Sequence, residues 1–497
     1  MKTVPFQSLQ SILVVAGFAL ASARGADSVE PVRSADHAAT PSPGGTPGRL
    51  APLALHPDNP HYFLWRGRPT VLITSGEHYG AVVNLEFDYV AYLQELESKH
   101  LNLTRTWAGA YVEPSGAFGI ADNTLAPKAG RFLGPWARSD QPGYANGGCK
   151  FDLSRWDEGY FQRLKDFMRE AARRGVVVEM NLFCPFYDES QWKISPQNAA
   201  NNINGLGTVA RTNVYTLDRH GGLLAIQEAM TRKIVTELKE FDNLYYEICN
   251  EPYFGGVTLD WQHHIAEVIV ETEKALGVRH LISQNIANDK AQIRNPHPAV
   301  SIFNFHYASP PATVGMNYAL HKVIGDNETG FRGTNDSPYR REGWEFILAG
   351  GGLYNNLDYS FTAGHERGDY AYPAQQPGGG NPVFRQQMMI LRDFIHRFDF
   401  IHMKPDLSVV KSLPEKARVQ ALVEPGRQYA LCLFGLPASP ASEAALVLAV
   451  PPGRYEVEWL DPISGQKLSG ATVDHAAGDL RLPLPAGLTE AALRIVR

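Results

Sequence analysis

Between residues 53 and 404 the chain alternates two hydrophobic rhythms. Short β-branched or aromatic runs of strand length are each followed by a stretch whose apolar positions recur with the period of a helix. The first run covers residues 70–74 and leads to a helical pattern over 87–100. The second covers 101–107 with a helix over 156–174, and the third 176–183 with a helix over 223–241. The fourth covers 244–249 with a helix over 259–276. Gly175 and Gly277 stand where the second and fourth helices must stop. Residues 280–285 predict a fifth strand with a short helical segment near Asp289, and 301–306 a sixth with part of a helix at 316–320. Residues 322–325 and 353–361 complete the strands, followed by helices over 338–348 and 383–398. Eight strand–helix units predict an α/β protein, a (β/α)8 TIM barrel. The competing arrangement is an open, doubly wound sheet, but no Gly-rich phosphate loop opens any of these helices.

The rhythm changes over residues 405–497 to short strands alone, at 418–423, 429–434, 445–450, 455–460 and 480–484. Gly, Pro and Asp separate them, which predicts a C-terminal antiparallel β-sandwich domain. Residues 1–23 read as a signal peptide: Lys2, an apolar run over 11–20, and Ala21-Ser22-Ala23 as the cleavage site. That run is too short to span a bilayer comfortably, which argues against a membrane anchor. The expectation is export to the periplasm or the extracellular space. Residues 24–52, rich in Ala, Pro and Gly, read as a disordered linker.

Composition narrows the partner. With 44% hydrophobic and 20% charged residues, the chain is ordinary for a globular protein. A net charge of -6 gives no electrostatic reason to expect nucleic acid or an anionic membrane, so a neutral polar ligand fits better. Four cysteines (Cys149, Cys184, Cys249, Cys432) are too few for a disulfide scaffold and match no zinc spacing. Cys184 and Cys249 end adjacent strands, either as a bridge or as two buried thiols. No metal or organic cofactor is implied.

In such a barrel, chemistry sits where the strands end. Strand four ends in Asn250-Glu251-Pro252, and strand seven in Asp326-Asn327-Glu328-Thr329-Gly330. Either Glu alone could be a solvated loop residue. Two carboxylates facing each other on one rim are what hydrolysis of a glycosidic bond needs, one to donate a proton and one to attack. Asp326 lies two residues before Glu328, on the same face by the period of a strand, and competes with it. Glu328 ranks first because it lies farther toward the rim.

Asn-Glu-Pro on strand four with a Glu on strand seven resembles clan A of the retaining glycoside hydrolases, the group of cellulases, β-mannanases and β-galactosidases. The resemblance covers the barrel. It implies that Glu251 is the acid/base, Glu328 the nucleophile, and Asn250 the partner of the sugar 2-hydroxyl. Clan members carry an Arg at the end of strand two, where Arg105 stands; a fixed guanidinium keeps the nucleophile ionised. His306 or Tyr307, ending strand six, would orient the nucleophile. The clan's strand-eight Trp is missing, so Tyr359 or Phe361 would form the floor under the sugar. His78, after strand one, either reaches a sugar hydroxyl or is structural.

Loops two and three carry Trp136, Tyr187, Trp192 and the amides Asn198, Asn201, Asn202 and Asn204. With Trp107 these suit the walls of a carbohydrate cleft, although anchoring of long loops accounts for some of the aromatics. The sandwich, around residues 456–465, looks like β-domains labelled collagen-binding after other barrel glycosidases. The expectation is therefore a retaining glycoside hydrolase that acts by double displacement on an oligosaccharide, polysaccharide or glycoside. It would bind no nucleic acid and insert in no membrane once the signal is cleaved. Alternatives on the same site are a carbohydrate-binding barrel without catalysis and a transglycosylase.

Overall fold

The computed structural model describes residues 50–437 and 444–497; residues 1–23, read as a signal peptide, and nearly all of those read as a linker lie outside them. Eight strands run β1 (Leu72–Gly76), β2 (Leu103–Trp107), β3 (Val177–Phe183), β4 (Leu244–Cys249), β5 (Leu281–Asn288), β6 (Val300–His306), β7 (Val323–Thr329) and β8 (Leu353–Leu357). They form one parallel sheet in the order β1-β8-β7-β6-β5-β4-β3-β2. This is the (β/α)8 barrel that the alternation predicts. Its strands are buried along nearly their whole length, which is why they read as continuous apolar runs rather than alternating ones.

The seam between β1 and β2 is bridged by Asn102. Its backbone N–H donates to the Ile73 carbonyl at 3.2 Å. Its side-chain oxygen accepts from the Ile73 N–H at 2.8 Å, and its amide nitrogen donates to the Val71 carbonyl at 2.9 Å. One buried side chain thus supplies ladder bonds where strand pairing stops.

The outer helices are α1 (Tyr89–Ser98), α2 (Glu158–Arg173), α3 (Leu224–Leu238), α4 (Leu259–Leu276), α5 (Ala312–Asn317), α6 (Asp336–Leu348) and α7 (Pro382–Ile395). In α2, buried Tyr160, Phe161, Leu164, Phe167, Met168 and Ala171 fall on one stripe, and Asp157 caps its first turn. Gly277 ends α4 in the left-handed conformation, at φ +67°.

Three expectations are corrected. No helix forms near Asp289: that segment is irregular and is held by Asn317, whose side chain binds Ile293 N and Ala291 O. β8 ends at Leu357 rather than 361, because the Asp358 carboxylate takes the Ser360 N–H and hydroxyl and folds the chain into a turn. β7 runs on to Thr329, so Glu328 lies in the strand itself.

Two features are not among the predicted elements: a hairpin in loop two (Trp136–Pro142 with Cys149–Trp156) and a three-stranded sheet at the start of the described chain. Phe63 and Trp65 of that sheet pack on Leu72, Leu103, Val177, Tyr245 and Ile302. They plug the bottom of the barrel and leave chemistry to the other end. Beyond the barrel, a six-stranded and a three-stranded antiparallel sheet share one core, a sandwich that includes four strands not foreseen, Lys404–Pro405, Val410–Ser412, Lys467–His475 and Glu490–Val496. Buried Glu490 ties the sandwich to α6 through Arg340 at 3.0 Å and Arg341 at 2.5 Å. No helix among the described residues is long and apolar enough to cross a membrane.

Replacing Asn102 with Ala strands a buried N–H and a buried carbonyl, and should lower unfolding stability by about 2–4 kcal/mol. Urea unfolding of the variant checks this. An unchanged midpoint would mean that water takes over both bonds.

Candidate active site

The C-terminal ends of the barrel strands converge on a cleft of about 440 Å³. Glu251 and Glu328 both line it, and each is almost wholly buried. One oxygen of each carboxylate and one nitrogen of His306 all lie within 4.8 Å of one another. Glu251 stands two residues past the end of β4 and has a left-handed backbone, φ +37°. A non-glycine residue held there carries strain of about 1–3 kcal/mol, which persists only where the surroundings fix it. Tyr79 and Tyr307, which bind the other carboxylate, are also left-handed, at φ +60° and +56°.

Glu328 owes its aim to a bulge. Phe305 of β6 pairs with Asp326, but the next residue, His306, pairs with Glu328, so β7 carries one extra residue. A bulge breaks the two-residue alternation and re-aims the side chains beyond it. Asn327 consequently points inward, its amide on Glu179 and Glu247 at 2.8 Å each. Asp326 turns the other way, accepting from the Ala308 N–H at 3.3 Å beside Glu342 of α6. The expectation that Asp326 and Glu328 share a face is corrected.

The environments of the two glutamates differ. Glu328 accepts from the Tyr79 hydroxyl at 2.9 Å, the Tyr307 hydroxyl at 2.8 Å and Arg105 Nη1 at 3.2 Å. Glu251 accepts from the Tyr187 hydroxyl at 2.6 Å and the Tyr253 hydroxyl at 3.3 Å. His306 Nδ1 stands between them, 3.1 Å from Glu251 and 3.5 Å from Glu328. Burial pushes the Glu328 carboxyl up, but His306, Arg105 and the Tyr307 hydroxyl together outweigh it and hold it below the usual range. Burial pulls His306 down, yet Glu328 and Glu251 raise it above an ordinary imidazole.

Arg105 itself is fully buried. Its Nε donates to Glu179 at 2.6 Å, and its Nη2 to Glu247 at 2.8 Å and to Asn250 Oδ1 at 2.9 Å. Its Nη1 also reaches the Asn327 carbonyl at 3.3 Å. Asn250 is thereby oriented, and its amide nitrogen donates to the Tyr187 hydroxyl at 3.1 Å. His78 lines the cleft, with Nε2 3.5 Å from Glu113, and Trp107 stacks on Tyr79 at 5.3 Å between ring centres.

Glu251, His306 and Glu328 are also donor types that could hold a metal ion. Two hydroxyls and a guanidinium already donate to Glu328 and two hydroxyls to Glu251, and they compete with such an ion for the carboxylate lone pairs.

Four proposed wall or floor residues lie elsewhere. Trp136 is buried at the base of the loop-two hairpin, opposite Trp156, and Trp192 packs on Phe186 at 4.8 Å. Tyr359 is buried behind the cleft, its ring 6.3 Å from His78, and Phe361 packs under Arg385 and on Tyr92. The loop-three amides fold their own loop: Asn201 bonds the Lys193 and Ser195 carbonyls, and Asn202 those of Pro196, Asn198 and Leu206. All four cysteines are unpaired; Cys184 Sγ lies 3.6 Å from the Tyr187 hydroxyl.

Tyr79, Tyr253 and Glu113 went unnoticed in the sequence. Each stands in a loop, and only Tyr253, two residues after Glu251, carried a signal in its position.

No family model matches the chain, and no curated protein matches it. Solved structures do. One is a glycoside hydrolase of family 5 from Bacteroides vulgatus, 14% identical, with a TM-score of 0.59 over 90% of this chain and 95% of that one. Another, named only as a glycoside hydrolase, is 14% identical with a TM-score of 0.58, over 90% of this chain and 97% of that one. The fold is shared. At these identities the likeness extends to the fold alone.

Tyr307→Phe removes a bond made to the ionised form of Glu328. The Glu328 titration should therefore move to higher pH, by up to about one unit. Carbon-13 NMR of labelled carboxylates checks it; a midpoint that stays put or falls would contradict the role.

Proposed function

We propose that the protein is an exported retaining glycoside hydrolase, with Glu328 as nucleophile and Glu251 as acid/base. One observation carries the proposal: two buried carboxylates close enough to share His306, of which one is held ionised by a guanidinium and two phenols. Retaining enzymes keep their carboxyl groups about 5–5.5 Å apart, whereas inverting ones leave about 6.5–9.5 Å for a water. Oxygens within 4.8 Å favour the retaining case. The likeness of the barrel to glycoside hydrolases supports the reaction class.

The chemistry runs in two displacements. Glu328 attacks the anomeric carbon as the bond to the leaving oxygen breaks, and Glu251 gives that oxygen its proton. Glu251 then takes a proton from water, whose oxygen attacks the same carbon and frees Glu328. Tyr79 and Tyr307 hold the attacking carboxylate in place, and Asn250, fixed by Arg105, is positioned for the 2-hydroxyl.

Azide rescue tests the two roles. In Glu251→Ala, a dinitrophenyl glycoside should still form the covalent intermediate, and azide should release a glycosyl azide of retained configuration. In Glu328→Ala, azide should give the inverted product. Swapped configurations, read by NMR, would reverse the two roles.

The pH profile gives a second test. Glu328 must be ionised to attack, and His306, Arg105 and the Tyr307 hydroxyl hold its pKa below that of an ordinary glutamate. Activity should therefore persist as pH falls through the ordinary carboxylate range and be lost only below it. An acid limb of kcat/KM centred near pH 6 would contradict the assignment.

A further inference from the structure

The cleft has two faces of opposite character. On one side His78 and Glu113 form a polar pair, and Glu113 is fixed by Tyr111 at 3.2 Å and by Asn123. On the other side the surface is aromatic. Phe118 meets Tyr187 edge-on at 5.2 Å, and Tyr187 lies 5.8 Å from Phe254. Phe331 completes the mouth from the Glu328 side. These three phenylalanines are 43%, 44% and 40% exposed. A single exposed apolar side chain needs no explanation, but three converging on one cleft mark a binding surface.

Their place relative to Glu251 decides what they bind. The leaving oxygen must take the proton of Glu251, so the leaving group lies on the Glu251 side. That side is built from Tyr187, whose hydroxyl touches Glu251, and Phe254, three residues after it. A sugar in this position would need partners for several hydroxyls, and phenylalanine offers none. Most of the nearby polar groups are already engaged, the Asn288 amide nitrogen excepted. Tyr253 is shared between Glu251 and Asn288, Asn250 between Arg105 and Tyr187, and Arg332 lies 3.4 Å from Glu342.

Phe118 is also held at a cost. Its φ is +56°, between Gly116 and Gly119 at +78° and +75°. The left-handed region is strained for a bulky residue, and such strain clusters where a side chain must be presented.

We propose that the substrate is a glycoside of a hydrophobic alcohol, aromatic or long-chain, rather than a chain of sugars. The sugar occupies the His78–Glu113 side, and the apolar group leaves along Phe118 and Phe254. This rests on the hydrolase reading above. The bond broken joins the anomeric carbon to the alcohol oxygen, which departs with the proton of Glu251.

The test begins with a panel of 4-methylumbelliferyl glycosides of common hexoses and pentoses, which identifies the sugar. With that sugar, n-octyl and methyl glycosides are then compared, since their alcohols are matched in acidity and differ in apolar area. The octyl compound should have the higher kcat/KM by about 100-fold, roughly what three to four buried methylenes supply. Phe118→Ala and Phe254→Ala should each shrink that ratio by about tenfold. A ratio near one in the native protein, or a disaccharide of the same sugar turned over faster than the octyl glycoside, overturns the proposal. If no aryl glycoside is cleaved, the hydrolase reading fails on its own. Calorimetric titration with 4-methylumbelliferone then decides the apolar site: binding that Phe118→Ala weakens supports it, and no binding overturns it.

Discussion

The site depends on one buried guanidinium. Arg105 has no exposed side-chain surface, and all five of its N–H donors are used, on Glu179, Glu247, Asn250, Glu328 and the Asn327 carbonyl. These partners come from β3, from β4 and the residue after it, and from β7. A buried cation left short of partners is costly, so the strands can close only in the register that presents every one of them. The ring of Tyr79, 4.4 Å from the guanidinium carbon, covers its face. Lysine has three donors and no plane, and could not hold this arrangement.

This constraint explains how the site tolerates its strain. Tyr79, Glu251 and Tyr307 all have left-handed backbones, which none would hold in isolation. Each side chain is locked at its far end to the charged network: Tyr79 and Tyr307 on Glu328, and Glu251 on His306 and Tyr187. The network fixes the carboxylates before any substrate arrives, which is what transition-state stabilisation by fixed groups requires. The same network makes the two glutamates unlike. Cationic and hydroxyl donors crowd Glu328, whereas Glu251 faces phenols, one imidazole and the apolar mouth.

Much of this was legible in the sequence, for a physical reason. Strand–helix alternation fixes the barrel, the barrel fixes which strand ends share a rim, and Asn250, Glu251 and Glu328 stand at or just past strand ends; Arg105, expected at the end of strand two, lies instead at the middle of β2. What could not be read depends on backbone detail that no periodicity encodes. The bulge in β7 separates Asp326 from Glu328, although a two-residue period puts them together. Tyr79 reaches Glu328 only because its backbone turns left-handed after β1. The aromatics and amides of the long loops suited a sugar by composition, but Trp136, Trp192, Asn201 and Asn202 satisfy the loops themselves. Loops of that length must pair their own backbone groups first.

The central claim is that Glu328, anchored through Arg105, attacks the anomeric carbon. The most direct measurement is to trap that bond with activated 2-deoxy-2-fluoro glycosyl fluorides, in which the second displacement is slow. Intact mass followed by peptide mapping should find a single added sugar on Glu328, and none in Glu328→Gln. A label on Glu251 or Asp326 would contradict the account.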